Sequence, residues 1–275
     1  MSQTPKFSVL MSVYFKEEPT FLELALKSIW DDQTLRPDEI VLVKDGPLTD
    51  ELDKVISDFA SRAPVKIVAL EKNQGLGKAL AEGVKNCKYD YIARMDTDDI
   101  SLPKRFEKQF TFLREHPEID ICGSAIDEFM SDPSEIVSRR VVPASHKEIL
   151  HFLKTRNPFN HMTVVFRRQA VLDAGNYQPF AFYEDYWLWA RCLASGKMGA
   201  NLTESLLYAR VGNGMYARRR GKQVILSGIK LDRNLYCLKI ISFFELCRNV
   251  FLRTTVRFLP TSMLKMLYKT FLRKH

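Results

Sequence analysis

Apolar runs and helical stripes alternate through the first half of this chain, and that alternation limits its fold more than any other feature. Phe7–Tyr14 reads as a strand. A helix follows, opened by a Thr20-x-x-Glu23 capping box, with Leu22, Ala25, Leu26 and Ile29 on one stripe. Ile40–Lys44 is a buried strand, and Leu52, Val55, Ile56 and Phe59 mark the next helix. Val65–Leu70 is a third strand, followed by a helix over about residues 76–86. Asp90–Met95 is a fourth strand. Leu102, Phe106, Phe110 and Leu113 form a helical face closed by Pro117, and Ile119–Ser124 is a fifth strand. Repeated strand–helix–strand units of this size predict an α/β fold with a mostly parallel, doubly wound sheet.

The alternation weakens after about residue 125. Ser145-x-x-Glu148 opens a short helix, Met162–Phe166 reads as a short strand, Tyr183–Ala194 as a helix ended by Gly196, and Leu206–Val211 as another strand. The spacing of Trp189, Cys192 and Leu193 predicts core, whereas Trp187 is free to stack on a sugar ring or to pack.

Charge separates the chain into two parts. The net charge is +8, and residues 223–275, with ten Lys/Arg against Asp232 and Glu245, carry an excess equal to all of it. Residues 1–221 are expected to form one domain, with a first half to about residue 125 and a second half beyond it; residues 222–275 are expected to form a basic helical tail. Leu264, Leu267, Tyr268 and Phe271 fall on one helical face of that tail, and Lys265, Lys269 and Arg273 on another. Such a segment suits an anionic membrane surface; the plainer alternative is a helix packed on its own domain. Nucleic acid is not expected, since no recognition motif accompanies the charge. Ile240–Phe244 is far too short to span a bilayer. The five cysteines form no C-x-x-C pair, which suits a reducing cytoplasm, and Met1–Lys6 lacks the pattern of a secretion signal.

The fourth strand ends in Asp96-Thr97-Asp98-Asp99, three carboxylates within four residues. Carboxylates this close repel one another and call for a positive partner, for which a divalent cation is a common answer. Loop or helix-cap duty is the plainer reading of such a cluster. Other polar groups end the neighbouring strands: Ser12-Val13-Tyr14 with Glu17 after the first, Lys44-Asp45-Gly46 after the second, Asn73-Gln74-Gly75-Leu76-Gly77 after the third. A doubly wound sheet gathers all of these along one edge, where such folds bind ligands. The Gly75/Gly77 pair lacks the third glycine of a dinucleotide fingerprint.

The order and spacing of these motifs resemble the inverting family-2 glycosyltransferases with the GT-A fold, a Rossmann-like sheet flanked by helices. The likeness is to bacterial enzymes of exopolysaccharide and O-antigen synthesis of the amylovoran type, and it covers about residues 6–212. It implies that Val13, Tyr14, Glu17 and Asp45 lie at the nucleotide, with Gly75, Lys78 and Asp96 completing that set. Lys44 stands where the family carries the first acid of a D-D-G element. The family's D-x-D matches Asp96 and Asp98, which implies a Mg²⁺ or Mn²⁺ site, with Asp99 either a helper or a cap for the following helix. Tyr183-Glu184-Asp185 resembles the family's E-D motif, which makes Asp185 the catalytic base and Glu184, Trp187 and His161 acceptor-side or supporting residues. Arg210 and Arg218-Arg219-Arg220 are read either as diphosphate contacts or as solvated surface.

The resemblance implies an inverting transfer from a nucleotide sugar, such as a UDP-hexose, to a lipid-linked saccharide. The enzyme would work in the cytoplasm, peripherally on the inner face of the membrane. Two rivals are a nucleotidyltransferase and a non-catalytic nucleotide-sugar-binding protein of the same fold. The first would need a glycine-rich, lysine-bearing loop after the first strand, and Phe15-Lys16-Glu17-Glu18-Pro19 is no such loop. Intact Asp96, Asp98 and Asp185 argue against the second.

Overall fold

The computed structural model describes residues 5–212 and 222–257. The basic face predicted over residues 264–273 and the Arg218–Arg220 run lie outside these residues. In chain order the elements are β1 (Phe7–Val13), α1 (Pro19–Trp30), β2 (Glu39–Lys44), α2 (Asp50–Ala60), β3 (Val65–Ala69), α3 (Leu76–Asn86), β4 (Tyr91–Arg94), β5 (Ile100–Ser101), α4 (Arg105–Glu115) and β6 (Ile121–Phe129). Then come β7 (Ile136–Arg140), α5 (His146–Leu153), a 3-10 turn (His161–Thr163), β8 (Val165–Arg167), α6 (Arg168–Asp173), α7 (Glu184–Ala194), β9 (Gly199–Arg210), α8 (Lys222–Cys237) and α9 (Phe243–Arg257).

The strands order as β3-β2-β1-β4-β8-β6-β9-β5, with β7 beside β6. The first four are parallel, as the strand–helix alternation predicts. β8 runs antiparallel between β4 and β6 and joins that parallel block to the β6–β9 pair. Alternate residues of the central strands face opposite layers. Val9, Met11 and Leu42 meet α1, α2 and α4 on one side; Leu10, Val41 and Val43 meet α3, α7 and α8 on the other. β1, β2 and β4 are covered on both faces and β3 is an exposed edge strand, so the carboxyl ends of the central strands are left for chemistry.

Three local expectations are corrected. α1 has no Thr20 capping box. Pro19 is its first residue, preceded by Glu18 with no side-chain cap, so Thr20 lies inside the first turn. Proline suits that position because its missing N–H is unneeded there. Leu102 precedes α4 rather than opening it. The stretch read as strand over Met162–Phe166 is the 3-10 turn, with β8 beginning at Val165. The Ser145–Glu148 capping box does form.

The α8–α9 hairpin shares the core of the rest of the molecule. Leu231 and Leu235 are fully buried in the cluster that holds Leu188 and Trp189 of α7. Together they contribute about 3–6 kcal/mol, well above what exposed ion pairs supply. Arg253 Nε donates to the buried Asp232 Oδ2 at 2.7 Å, and its guanidinium lies over the Tyr183 ring. Asn249 Nδ2 donates to the Lys154 carbonyl at 2.7 Å. No helix among the described residues is long and apolar enough to cross a membrane.

Candidate active site

β4 delivers the acidic turn with its counter-charge already in place. The last residue of the strand, Arg94, is 1% exposed. Its guanidinium donates to the Leu10 carbonyl at 3.3 Å and to Asp96 Oδ1. Arg105, also buried, donates to the Arg94 carbonyl at 2.7 Å, and burial pushes its pKa down to about 9. A third cation closes the turn from the other side. β5 pairs with β9, which brings Arg210 back over residues 98 and 99. The Arg210 amide donates to Asp99 Oδ1 at 2.9 Å, its Nε donates to the Asp98 carbonyl at 3.1 Å, and its guanidinium sits between the Phe21 and Phe129 rings. Arg210 is therefore not merely solvated surface: it holds the turn.

The three acids are not equivalent. Asp99 is buried and caps no helix, since Lys104 holds that position before α4. Desolvation, then the neighbouring Asp98 and Asp96 charges, raise its carboxyl well above the usual range. Asp96 and Asp98 are partly exposed and are the two that can face a ligand.

The residues expected at the nucleotide converge along the carboxyl edge of β1, β2 and β3. The Asp45 amide donates to the Val13 carbonyl at 2.8 Å. The Asp45 carboxylate, 3% exposed, accepts the Gln74 amide at 2.7 Å and the Gly75 amide at 3.0 Å, so it clamps the turn that starts α3. Gly46 has φ +88°, and a Cβ there would lie 2.5 Å from the Asn73 amide nitrogen; only glycine fits this crossing. Gly75 caps α3 without a side chain, and Lys78 is exposed in the first turn beyond it. The Glu17 amide donates to the Tyr14 carbonyl at 3.1 Å, folding these two residues into a turn after β1. Lys44 points elsewhere: its ammonium pairs with Asp53 of α2 at 2.6 Å.

Of the residues expected on the acceptor side, Glu184, Asp185 and Trp187 come from the start of α7 and His161 from the 3-10 turn. Asp185 Oδ2 accepts from Asn157 Nδ2 at 2.5 Å, and Oδ1 accepts the Tyr186 amide at 2.7 Å. Glu184 lies against the first turn of α3: a Cβ on Gly77 would sit 3.0 Å from its Cγ. Burial pushes the Glu184 carboxyl up to about 7. His161 bonds through Nε2 to the Tyr177 hydroxyl at 2.9 Å and packs edge-on to Trp189. Burial and the Arg94 charge hold its pKa down, while Asp185 and Asp96 pull the other way. Trp187 is pinned to its own domain, donating to Gln178 Oε1 at 3.0 Å beneath the Arg191 guanidinium. Trp189 is fully buried, as its spacing predicts.

Sequence reasoning missed Arg94, Arg105, Asn157 and Tyr177. An arginine at the end of an apolar strand, two residues before Asp96, was the available signal for Arg94. Asn157 had none beyond a polar residue before Pro158.

The donor set also bears on a metal ion. Among the described residues no three His, Cys, Asp or Glu side chains converge into a cage. Magnesium-type sites for diphosphates need less: one or two carboxylates, with phosphate oxygens and water completing the shell. Asp98 and the Asp96 oxygen not engaged by Arg94 fit that requirement.

Comparison with known proteins bears on family and fold. The family model described as "Glycosyl transferase family 2" matches residues 8–175. The amylovoran biosynthesis glycosyltransferase AmsE of Erwinia amylovora is 44% identical over 263 residues, 96% of this chain and 98% of that protein. An Escherichia coli UDP-Gal:alpha-D-GlcNAc-diphosphoundecaprenol beta-1,3-galactosyltransferase is 38% identical over 271 residues, 98% of each chain. The mannosyltransferase PcManGT from Pyrobaculum calidifontis, solved in complex with GDP-Man and Mn2+, superposes with a TM-score of 0.64 at 14% identity, covering 98% of this chain and 80% of its own. That last likeness bears on the fold, which is GT-A. The chain belongs to glycosyl transferase family 2.

Proposed function

We propose that this glycosyltransferase moves a hexose from a UDP-sugar to a lipid-linked saccharide with inversion, in the assembly of a bacterial surface polysaccharide. The observation that carries the reading is Asp185, in the first turn of α7 and held by Asn157 Nδ2 at 2.5 Å. The nucleotide lies along Val13, Tyr14, Glu17 and Asp45, with Gly75 and Lys78 at the start of α3 and Asp96 near the ribose. Residues to about 125 supply this donor side, and residues 126–221 the acceptor side.

Asp185 takes the proton from an acceptor hydroxyl as that oxygen attacks the anomeric carbon. The bond from that carbon to the diphosphate breaks on the opposite face, so one base suffices. Asp96 and Asp98 would hold Mg²⁺ or Mn²⁺, which supplies charge neutralisation for the departing diphosphate. Glu184, His161 and Trp187 shape the acceptor wall. The relative's diphosphoundecaprenol acceptor supports a lipid-linked substrate here. The basic 222–275 segment fits work on the inner membrane face, from the cytoplasm.

The experiment is transfer from a panel of nucleotide sugars to a GlcNAc-diphosphate-lipid acceptor, wild type against Asp185→Asn. The variant is expected to lose about 10³-fold or more in kcat while binding UDP as wild type does. Normal turnover by Asp185→Asn overturns the assignment.

A further inference from the structure

The outward face of α9 is more apolar than the face it turns to the protein. Phe243, Cys247 and Phe251 are exposed at successive turns, and Phe244, Arg248 and Leu252 form the adjacent exposed row. Phe244 is 84% exposed and Phe243 59%. The inward face packs Leu246 on the core but otherwise carries polar anchors: Asn249 on the Lys154 carbonyl, Arg253 on Asp232, and Glu245 on the Lys154 ammonium at 3.0 Å. A helix in water that buries its polar groups and exposes its phenylalanines is inverted relative to ordinary amphipathic packing. Tyr236 at the end of α8 extends the patch, since its ring lies 6.3 Å from that of Phe243, and Phe243 lies 6.3 Å from Phe244.

Charge identifies the occupant. The two acids of residues 223–275, Asp232 and Glu245, are paired inward with Arg253 and Lys154. Arg233, Lys239 and Arg248, each within five residues of a patch aromatic in the chain, are exposed, while Lys230 lies over the Phe180 ring at 5.1 Å. The exposed charges of the described hairpin are therefore positive. A second copy docked face to face would set like charges together. Residues 258–275 contain no acid either, so they bring no complement. An anionic bilayer satisfies both features: aromatic rings enter the acyl boundary and the cations meet the headgroups.

We infer that the α8–α9 hairpin, through Tyr236, Phe243 and Phe244 and their basic surround, is a membrane-docking face for anionic lipid. The inference rests on the proposed lipid-linked acceptor and adds a docking geometry to it. Lys154 and Tyr183, which α9 grips, lie respectively three residues before Asn157 and two before Asp185. Docking by this face holds the acceptor end of the site beside the bilayer in which the acceptor is anchored.

The test is sedimentation of the full chain with phosphatidylcholine vesicles, with and without about 30% phosphatidylglycerol. The wild type is expected to bind the anionic vesicles, and Phe243→Glu/Phe244→Glu to lose at least about tenfold in that binding. Both side chains are exposed, so melting of the variant is expected to match wild type. Turnover on a water-soluble acceptor analogue, measured without vesicles, is expected to be unchanged; its absence in both proteins would fault the transferase reading and not the docking face. No binding of the wild type to anionic vesicles, or equal binding by the double variant, overturns the inference. So does a wild-type dimer in sedimentation velocity that the variant abolishes while vesicle binding persists, since that gives the face to a second copy.

Discussion

Asn157 Nδ2 donates to Asp185 Oδ2 at 2.5 Å, and this bond fixes the carboxylate at the start of α7. The other end of Asn157 is held as well, its Oδ1 accepting the Phe159 amide at 3.2 Å. Asn157 thus bridges the loop after α5 to the proposed base. It points one carboxylate oxygen without supplying or removing a proton. Asn157→Ala is expected to lower kcat by about 10–100-fold with donor KM little changed, because loss of orientation acts on the reacting geometry. Steady-state kinetics at saturating acceptor check this. A change confined to donor KM would place Asn157 on the nucleotide side instead.

Glu184 predicts a pH-dependent stability. Burial raises its carboxyl from 4.5 to about 7, so the folded protein keeps a proton that the unfolded chain has lost. Its contribution is neutral below pH 4.5, becomes a penalty as pH rises, and reaches its full cost near pH 7. Partial exposure screens that cost to about 1–2 kcal/mol. Glu184→Gln is expected to match wild type at pH 4.5 and to exceed it by that amount at pH 8. Urea titrations of both proteins at the two pH values check it; parallel stability curves would refute the buried-carboxyl account.

The residues at strand ends were legible because a parallel sheet makes their position a consequence of order alone. Once β1–β4 were recognised, Val13, Asp45, Gly75 and Asp96 had to share an edge. Partners contributed from distant segments were not legible. Arg210 reaches Asp99 across 111 residues, by way of β9 pairing with both β6 and β5. The repulsion argument at the acidic turn asked for a cation without revealing that Arg94, Arg105 and Arg210 supply three. Metal binding there now rests on the exposure of Asp96 and Asp98, not on unbalanced charge. The inverted face of α9 was hidden for a related reason. Its stripe is visible in sequence, but only packing tells which side faces in.

That revised basis makes the metal prediction specific. Asp98 is partly exposed and Asp96 has one oxygen on Arg94, so Asp98 is expected to carry most of the cation dependence. Mn²⁺ is expected to tighten UDP binding to the wild type, and Asp98→Asn to remove about tenfold or more of that gain while leaving metal-free UDP binding nearly unchanged. Calorimetry with and without chelator reads both quantities. Equal UDP affinity in the two conditions would count against a metal at this turn.

The Asp232–Arg253 pair decides whether the hairpin is an appendage or part of the domain. Asp232 is fully buried and accepts Arg253 Nε at 2.7 Å, while Arg253 also covers Tyr183. Asp232→Asn leaves a largely buried guanidinium without its countercharge and is expected to cost about 3–5 kcal/mol. Replacing both partners, as Asp232→Leu with Arg253→Met, is expected to recover most of the loss, because no buried charge remains. Since Leu231 and Leu235 share a core with Leu188 and Trp189, the loss should appear in one cooperative transition of the whole chain. A hairpin that merely trailed from the domain would melt separately, and Asp232→Asn would then leave the main transition where it was.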